Sequence, residues 1–150
     1  MSPGKQVALS KISNMSKSKK LIYSILVLLL PISAAWGQMK VFVAPKSADD
    51  INNPLKGNAA AVAEGKKTYT TYCAPCHGDR GRGDGPAAAG LAKSPADHTS
   101  AEVQKQTDGA IFWKMSEGNP PMPGYKKSLN ETQLWQLVDY IRTLARPPKK

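Results

Sequence analysis

Cysteine and histidine are both scarce in this chain of 150 residues, which has two cysteines, Cys73 and Cys76, and two histidines, His77 and His98. With no second Cys pair, the usual four-ligand set of a structural zinc site is missing. No acidic residue occurs in the first 37 positions. No apolar run reaches the ~20 residues of a membrane-spanning helix; the run from Leu21 to Ile32 is shorter and holds Pro31. Strand-like alternation is also absent, which removes the βαβ setting that a thioredoxin-like Cys pair requires. Lysine and arginine outnumber acids, 21 to 11, yet form no arginine-rich stripe or nucleic-acid motif, so nucleic acid is not an expected partner. The glycine-rich run from Gly78 to Gly85 lacks the Gly-Lys-Ser/Thr ending and the preceding strand of a phosphate loop.

The first third is organised differently from the rest. A basic flank with Lys5, Lys11, Lys17, Lys19 and Lys20 precedes the apolar run, and Ser33-Ala34-Ala35-Trp36-Gly37 follows it. That order is the pattern of a secretory leader. Residues 1–37 are read as a signal peptide cut before Gln38, with Met15 an alternative start. The competing reading is an uncleaved tether, which leaves the domain anchored at the outer face of the inner membrane. The expected location is periplasmic or secreted, with membrane contact only through a partner or such a tether. Cleavage removes five basic residues and no acidic ones, so 16 minus 11 gives a mature charge of +5. Such a surplus serves ordinary solubility or steers docking to an acidic surface.

A mature chain of this size often leans on a disulfide, metal or cofactor for stability. Cys73-Ala74-Pro75-Cys76-His77 supplies the candidate, because Cys-x-x-Cys-His is the attachment pattern of c-type haem. Two thiols three positions apart reach the two vinyl groups of one porphyrin. The adjoining His77 then presents its imidazole to the iron. A simple exported disulfide is the alternative, but it leaves His77 without a role.

Around that motif, residues 58–146 resemble a class I c-type cytochrome, the small bacterial mono-haem kind similar to the cytochrome c domains of cbb3-type oxidases. The matching islands are Ala63-Glu64-Gly65-Lys66-Lys67-Thr68-Tyr69, His77-Gly78-Asp79-Arg80-Gly81-Arg82-Gly83-Asp84-Gly85, Asn119-Pro120-Pro121-Met122-Pro123-Gly124-Tyr125 and Leu134-Trp135-Gln136-Leu137-Val138-Asp139-Tyr140-Ile141-Arg142. The resemblance implies an all-α cytochrome c fold, four to five short helices wrapped around one haem c held by two thioethers. It also implies electron transfer, and a close crossing of the first and last helices at Gly65.

In the resembled family the sixth iron ligand is usually a methionine on a later loop. Of the two methionines within the domain, Met122 lies in a rigid proline-rich segment, while Met115 falls in a predicted helix, where Met is commonly core filler. The expected ligands are therefore His77 and Met122. His98 is the rival, its alternative reading being an exposed or capping-region histidine. A Met/His pair raises the reduction potential, and two protein ligands close the iron to substrate. Since no acid–base set accompanies Met122, the chain is read as an electron carrier and not an enzyme. The alternative is a haem subunit of a periplasmic or membrane-bound oxidoreductase complex. Partners are redox donors and acceptors with acidic docking surfaces.

Helical spacing predicts a first helix over Asn58 to Tyr72, short ones over Ser100 to Gln106 and Asp108 to Glu117 with a stop at Gly118, and a last one capped by Asn130. The last carries a core stripe of Leu134, Leu137, Val138, Ile141, Leu144 and Ala145, and Pro147-Pro148 ends it. Residues 38–57 read as an extended segment, lying across the domain or linking to it, and 147–150 as a tail. Phe112 and Trp113 are expected against the porphyrin edge or against each other. Arg80 and Arg82 are expected in solvent, with a haem propionate the other candidate partner.

Overall fold

A computed structural model describes residues 42–147. The leader expected over residues 1–37 lies outside them. Five α-helices and no named strand occur among the described residues, in keeping with the all-α expectation. They are α1 (Ala59–Tyr72), α2 (Ala74–His77), α3 (Ala101–Gln104), α4 (Asp108–Glu117) and α5 (Glu131–Thr143).

The helices begin where side chains satisfy the backbone donors of their first turns. The Asn58 side chain accepts from Ala60 N at 3.0 Å and Ala61 N at 3.2 Å, starting α1. Asn130 forms the expected capping box: Gln133 N donates to Asn130 Oδ1 at 2.9 Å and Asn130 N to Gln133 Oε1 at 3.0 Å. Gly118 ends α4 with φ 72°, a left-handed value that favours glycine. Helix α3 is shorter than expected, covering only Ala101–Gln104, and α5 stops at Thr143, before the prolines.

The core forms where α1 and α5 cross. On α1 the buried residues Ala61, Gly65 and Tyr69 recur every four positions, the spacing that puts them on one helix face. On α5, Leu134, Trp135, Leu137, Val138 and Ile141 are buried. Gly65 sets the closeness of the crossing, since a Cβ there would lie 1.9 Å from the backbone oxygen of Gln136. The crossing holds the Cys73 end of α1, and with it α2, against the core cluster of Tyr69, Cys73, Ala74 and α5.

The segment 42–57 lies across the helices. Ala48 is buried, and its carbonyl sits where a Cβ on Gly109 of α4 would come within 2.0 Å. Thr107 Oγ1 donates to Asp49 Oδ1 at 2.6 Å. Asn53 Nδ2 donates to Asp139 Oδ1 at 2.6 Å and to Asp108 Oδ2 at 3.2 Å. Arg142 ties α5 to the preceding loops: it donates to Asp108 Oδ1 at 2.7 Å, Gln104 O at 2.8 Å and Gln106 O at 2.6 Å.

Candidate haem site

Cys73 stands at the start of helix α2, which carries Cys76 and His77 on its one turn, and the glycine-rich run folds back over it. Gly83 N donates to His77 O at 2.8 Å and Gly85 N to Cys76 O at 3.1 Å. A Cβ on Gly85 would lie 2.4 Å from Pro75 O, so this approach requires glycine. Arg80 and Arg82 are exposed and do not line the cavity below.

Beside α2 opens a cavity of about 470 Å³. Cys76, His77, Met115 and Met122 are in its wall, and Leu91, Val103, Ile111 and Ile141 give it an apolar lining. That volume lies within the ~300–1,000 Å³ of ordinary cofactor pockets. Cys73 is buried in the adjoining core cluster and is not part of the wall. Burial, reinforced by the neighbouring Cys76, pushes the Cys73 thiol up to about 12, so at neutral pH it is a protonated thiol. A redox-active Cys pair relies on a depressed thiol pKa, the opposite condition.

His77 is buried, and burial holds its imidazole below the usual histidine range. Its Nδ1 is 2.9 Å from Ala96 O, an atom that only accepts. The bond therefore fixes the Nδ1–H tautomer and leaves Nε2 with a free lone pair, the state of a metal-ligating imidazole. Free thiols at Cys73 and Cys76, an oriented imidazole and an apolar cavity beside them fit a covalently attached haem. His77 would then be the residue to hold the iron, and Cys73 and Cys76 those to hold the porphyrin.

Met122 lies on a tight turn: Asn119 N donates to Met122 O and Met122 N to Asn119 O, both at 2.9 Å. The loop is pinned to α4 by Tyr125 N donating to Met115 O at 2.9 Å. Gly124 permits this contact, since a Cβ there would lie 2.4 Å from Glu117 O. Met115 itself is buried in α4, as expected of core filler, although it also reaches the cavity wall.

Two expectations are corrected. His98 is not an exposed or capping histidine: its ring stacks on that of His77 with centroids 4.0 Å apart and planes at 18°. Burial and the adjacent His77 push it down to about 3, so it is neutral. Phe112 and Trp113 do not pack on each other. Phe112 stacks on Trp135 at 4.1 Å, while Trp113 meets Phe42 at 5.7 Å. Phe42 also lines the cavity, a contribution from the extended segment that its sequence did not signal.

A helical fold that sets Cys-x-x-Cys-His beside an apolar cavity is the architecture of a covalent haem protein. The chain belongs to the cytochrome c family, whose family model, Cytochrome c, matches residues 62–145, more than half its length. Haem c goes with that family, and the helical fold is the cytochrome c fold. Among solved structures, the chain is similar to one in the "Kuenenia stuttgartiensis reducing HAO-like protein complex Kustc0457/Kustc0458", at 28% identity and TM-score 0.57. That match covers 64% of this chain and 50% of the other, so this chain corresponds to only half of its neighbour. It also matches the "KustC0563 c-type cytochrome" at 30% identity, covering 55% of this chain and 98% of that one, with TM-score 0.48. No curated protein matches.

Proposed function

We propose that the chain is a single-electron carrier with one haem c, attached through Cys73 and Cys76 and ligated by His77 and Met122. When bound, haem c supplies a one-electron Fe(III)/Fe(II) couple. The carrying observation is that His77, with Nδ1 tied to Ala96 O, and Met122, on its pinned turn, line the same apolar cavity. His98 is a poor candidate for the position across the iron, because its ring lies alongside His77, face to face. Met115 belongs to a helix and to the core, whereas Met122 sits on a short constrained loop. Two protein ligands leave no coordination position for a substrate, which suits a carrier.

Export through the leader at residues 1–37 and a periplasmic or secreted location go with this role. So does docking to acidic surfaces of donor and acceptor proteins. The mature charge of +5 supports that polarity. A second reading, a haem subunit of a larger redox assembly, is favoured by the likeness to a chain from a protein complex.

The test is a one-electron redox titration of the haem-loaded protein with carbon monoxide added to the reduced form. A carrier titrates reversibly with one electron and does not bind carbon monoxide. Ready binding of the gas overturns the two-ligand assignment. A stable co-purifying partner selects the subunit reading.

A further inference from the structure

The two histidines form one assembly with Tyr69. His98 is fixed at its backbone, where its N donates to Gly81 O at 2.6 Å and its O accepts from Gln104 Nε2 at 2.7 Å. Gly81 makes room for it, since a Cβ there would lie 3.1 Å from His98 Cβ and 2.8 Å from Leu144 Cδ1. At the ring, His98 Nδ1 is 3.2 Å from the hydroxyl of Tyr69, which is itself 3.2 Å from Gly78 O. Tyr69 is 1% exposed and packs against Tyr140 with centroids 5.0 Å apart, so it cannot swing away.

Proton counting fixes the tautomer. The phenol has one hydrogen and Gly78 O can only accept, so both contacts are hydrogen bonds only if Tyr69 donates to Gly78 O. His98 then donates to Tyr69 through Nδ1–H. His77 donates to Ala96 O in the same way, a bond that orients its ring but leaves it a residual torsional freedom. The parallel face of His98, 4.0 Å away, removes this freedom.

We propose that His98, held by Tyr69, is a positioning residue that fixes the plane of the His77 ring. The inference rests on His77 being the iron ligand. The orientation of an axial imidazole sets its overlap with the iron d orbitals, so a loosened ring alters both the electron paramagnetic resonance of the oxidised iron and the redox equilibrium. His98 does this without touching iron, as an outer partner that orients a ligand.

The experiment compares haem-loaded wild type with His98→Phe, His98→Leu and Tyr69→Phe. Low-temperature electron paramagnetic resonance and the reduction potential are the readouts. His98→Phe keeps a flat ring but loses the bond to Tyr69, so it is expected to broaden the resonance as Tyr69→Phe does, with the redox equilibrium constant within about twofold. His98→Leu removes the ring and is expected to shift and broaden the resonance. Its equilibrium constant should change by about threefold to tenfold, where tenfold is ~59 mV for one electron. Tyr69→Phe keeps the core but releases His98, and should broaden the resonance without the full shift. Wild-type resonance and potential in both His98→Leu and Tyr69→Phe overturn the inference while leaving the carrier reading intact. If His98→Leu does not fold, a wild-type resonance in Tyr69→Phe is sufficient to reject it. Wild type with covalent haem but no low-spin histidine ligation removes the underlying reading, and this inference with it.

Discussion

Substituting Gly65 by alanine isolates the contact that brings the haem-bearing end of α1 onto α5. Alanine in a helix interior is favoured over glycine by about 1 kcal/mol, so propensity alone makes Gly65→Ala stabilising. The structure predicts the reverse sign. The new Cβ would lie 1.9 Å from Gln136 O and 2.6 Å from Gln136 C, backbone atoms that cannot rotate aside. Restoring ordinary contact at 3.4 Å needs 3.4 minus 1.9, or 1.5 Å, of displacement between two helices packed through Tyr69, Leu137, Val138 and Ile141. Overpacking typically costs about 1–3 kcal/mol and occasionally more. Because the obstacle is backbone, a cost of ~3 kcal/mol or more is expected, and subtracting the ~1 kcal/mol propensity gain leaves a net loss of at least ~2 kcal/mol. With an m-value of ~2 kcal/mol/M, the urea midpoint then falls by about 1 M. Tryptophan fluorescence during urea unfolding measures it, with Gly90→Ala as the control because a Cβ there meets nothing within 4 Å. A Gly65→Ala protein as stable as wild type refutes the close-crossing account.

Met122→Ala is expected to lower the reduction potential and admit carbon monoxide to the reduced iron. Met115→Leu, a volume-conserving change costing less than ~1.5 kcal/mol, should leave the spectrum unaltered; the opposite pattern would exchange the roles of the two methionines. Burial raises the pKa of Asp139, one of whose oxygens has no hydrogen-bond partner among the described residues. The folded state therefore binds the proton more tightly than the unfolded chain, and wild type should lose stability relative to Asp139→Asn as pH rises above about 4. A stability difference that is flat between about pH 3 and about pH 7 contradicts this. Asn130→Ala removes the bond from Gln133 N to the Asn130 side chain, leaves the one from the backbone N of residue 130 to Gln133 Oε1, and should cost about 1 kcal/mol in denaturant unfolding; no change would mean that the cap is replaced by solvent.

The parts legible in the sequence were those governed by local chemistry. The start of α5 follows from Asn130 and Gln133, three residues apart, and its buried face from a 3.6-residue period. Met122 stood apart from Met115 because prolines exclude helix around it, and both lie where that contrast placed them, one on a turn and one on a helix. His98 was misread because its partners are distant in sequence: Tyr69 is 29 positions away, and the stack with His77 depends on the loop through Gly81. Phe42 likewise reaches the cavity only because segment 42–57 crosses α4, a placement made by Ala48, Asp49 and Asn53 with no periodic signal.

The most direct test of the central claim is a visible spectrum, oxidised and reduced, of protein made with the haem-attachment machinery, recorded before and after acid-acetone extraction. Haem that resists extraction, with a low-spin reduced spectrum and a sulfur-to-iron charge-transfer band when oxidised, is the expected result. Haem that extracts freely would contradict attachment through Cys73 and Cys76 and with it the carrier account.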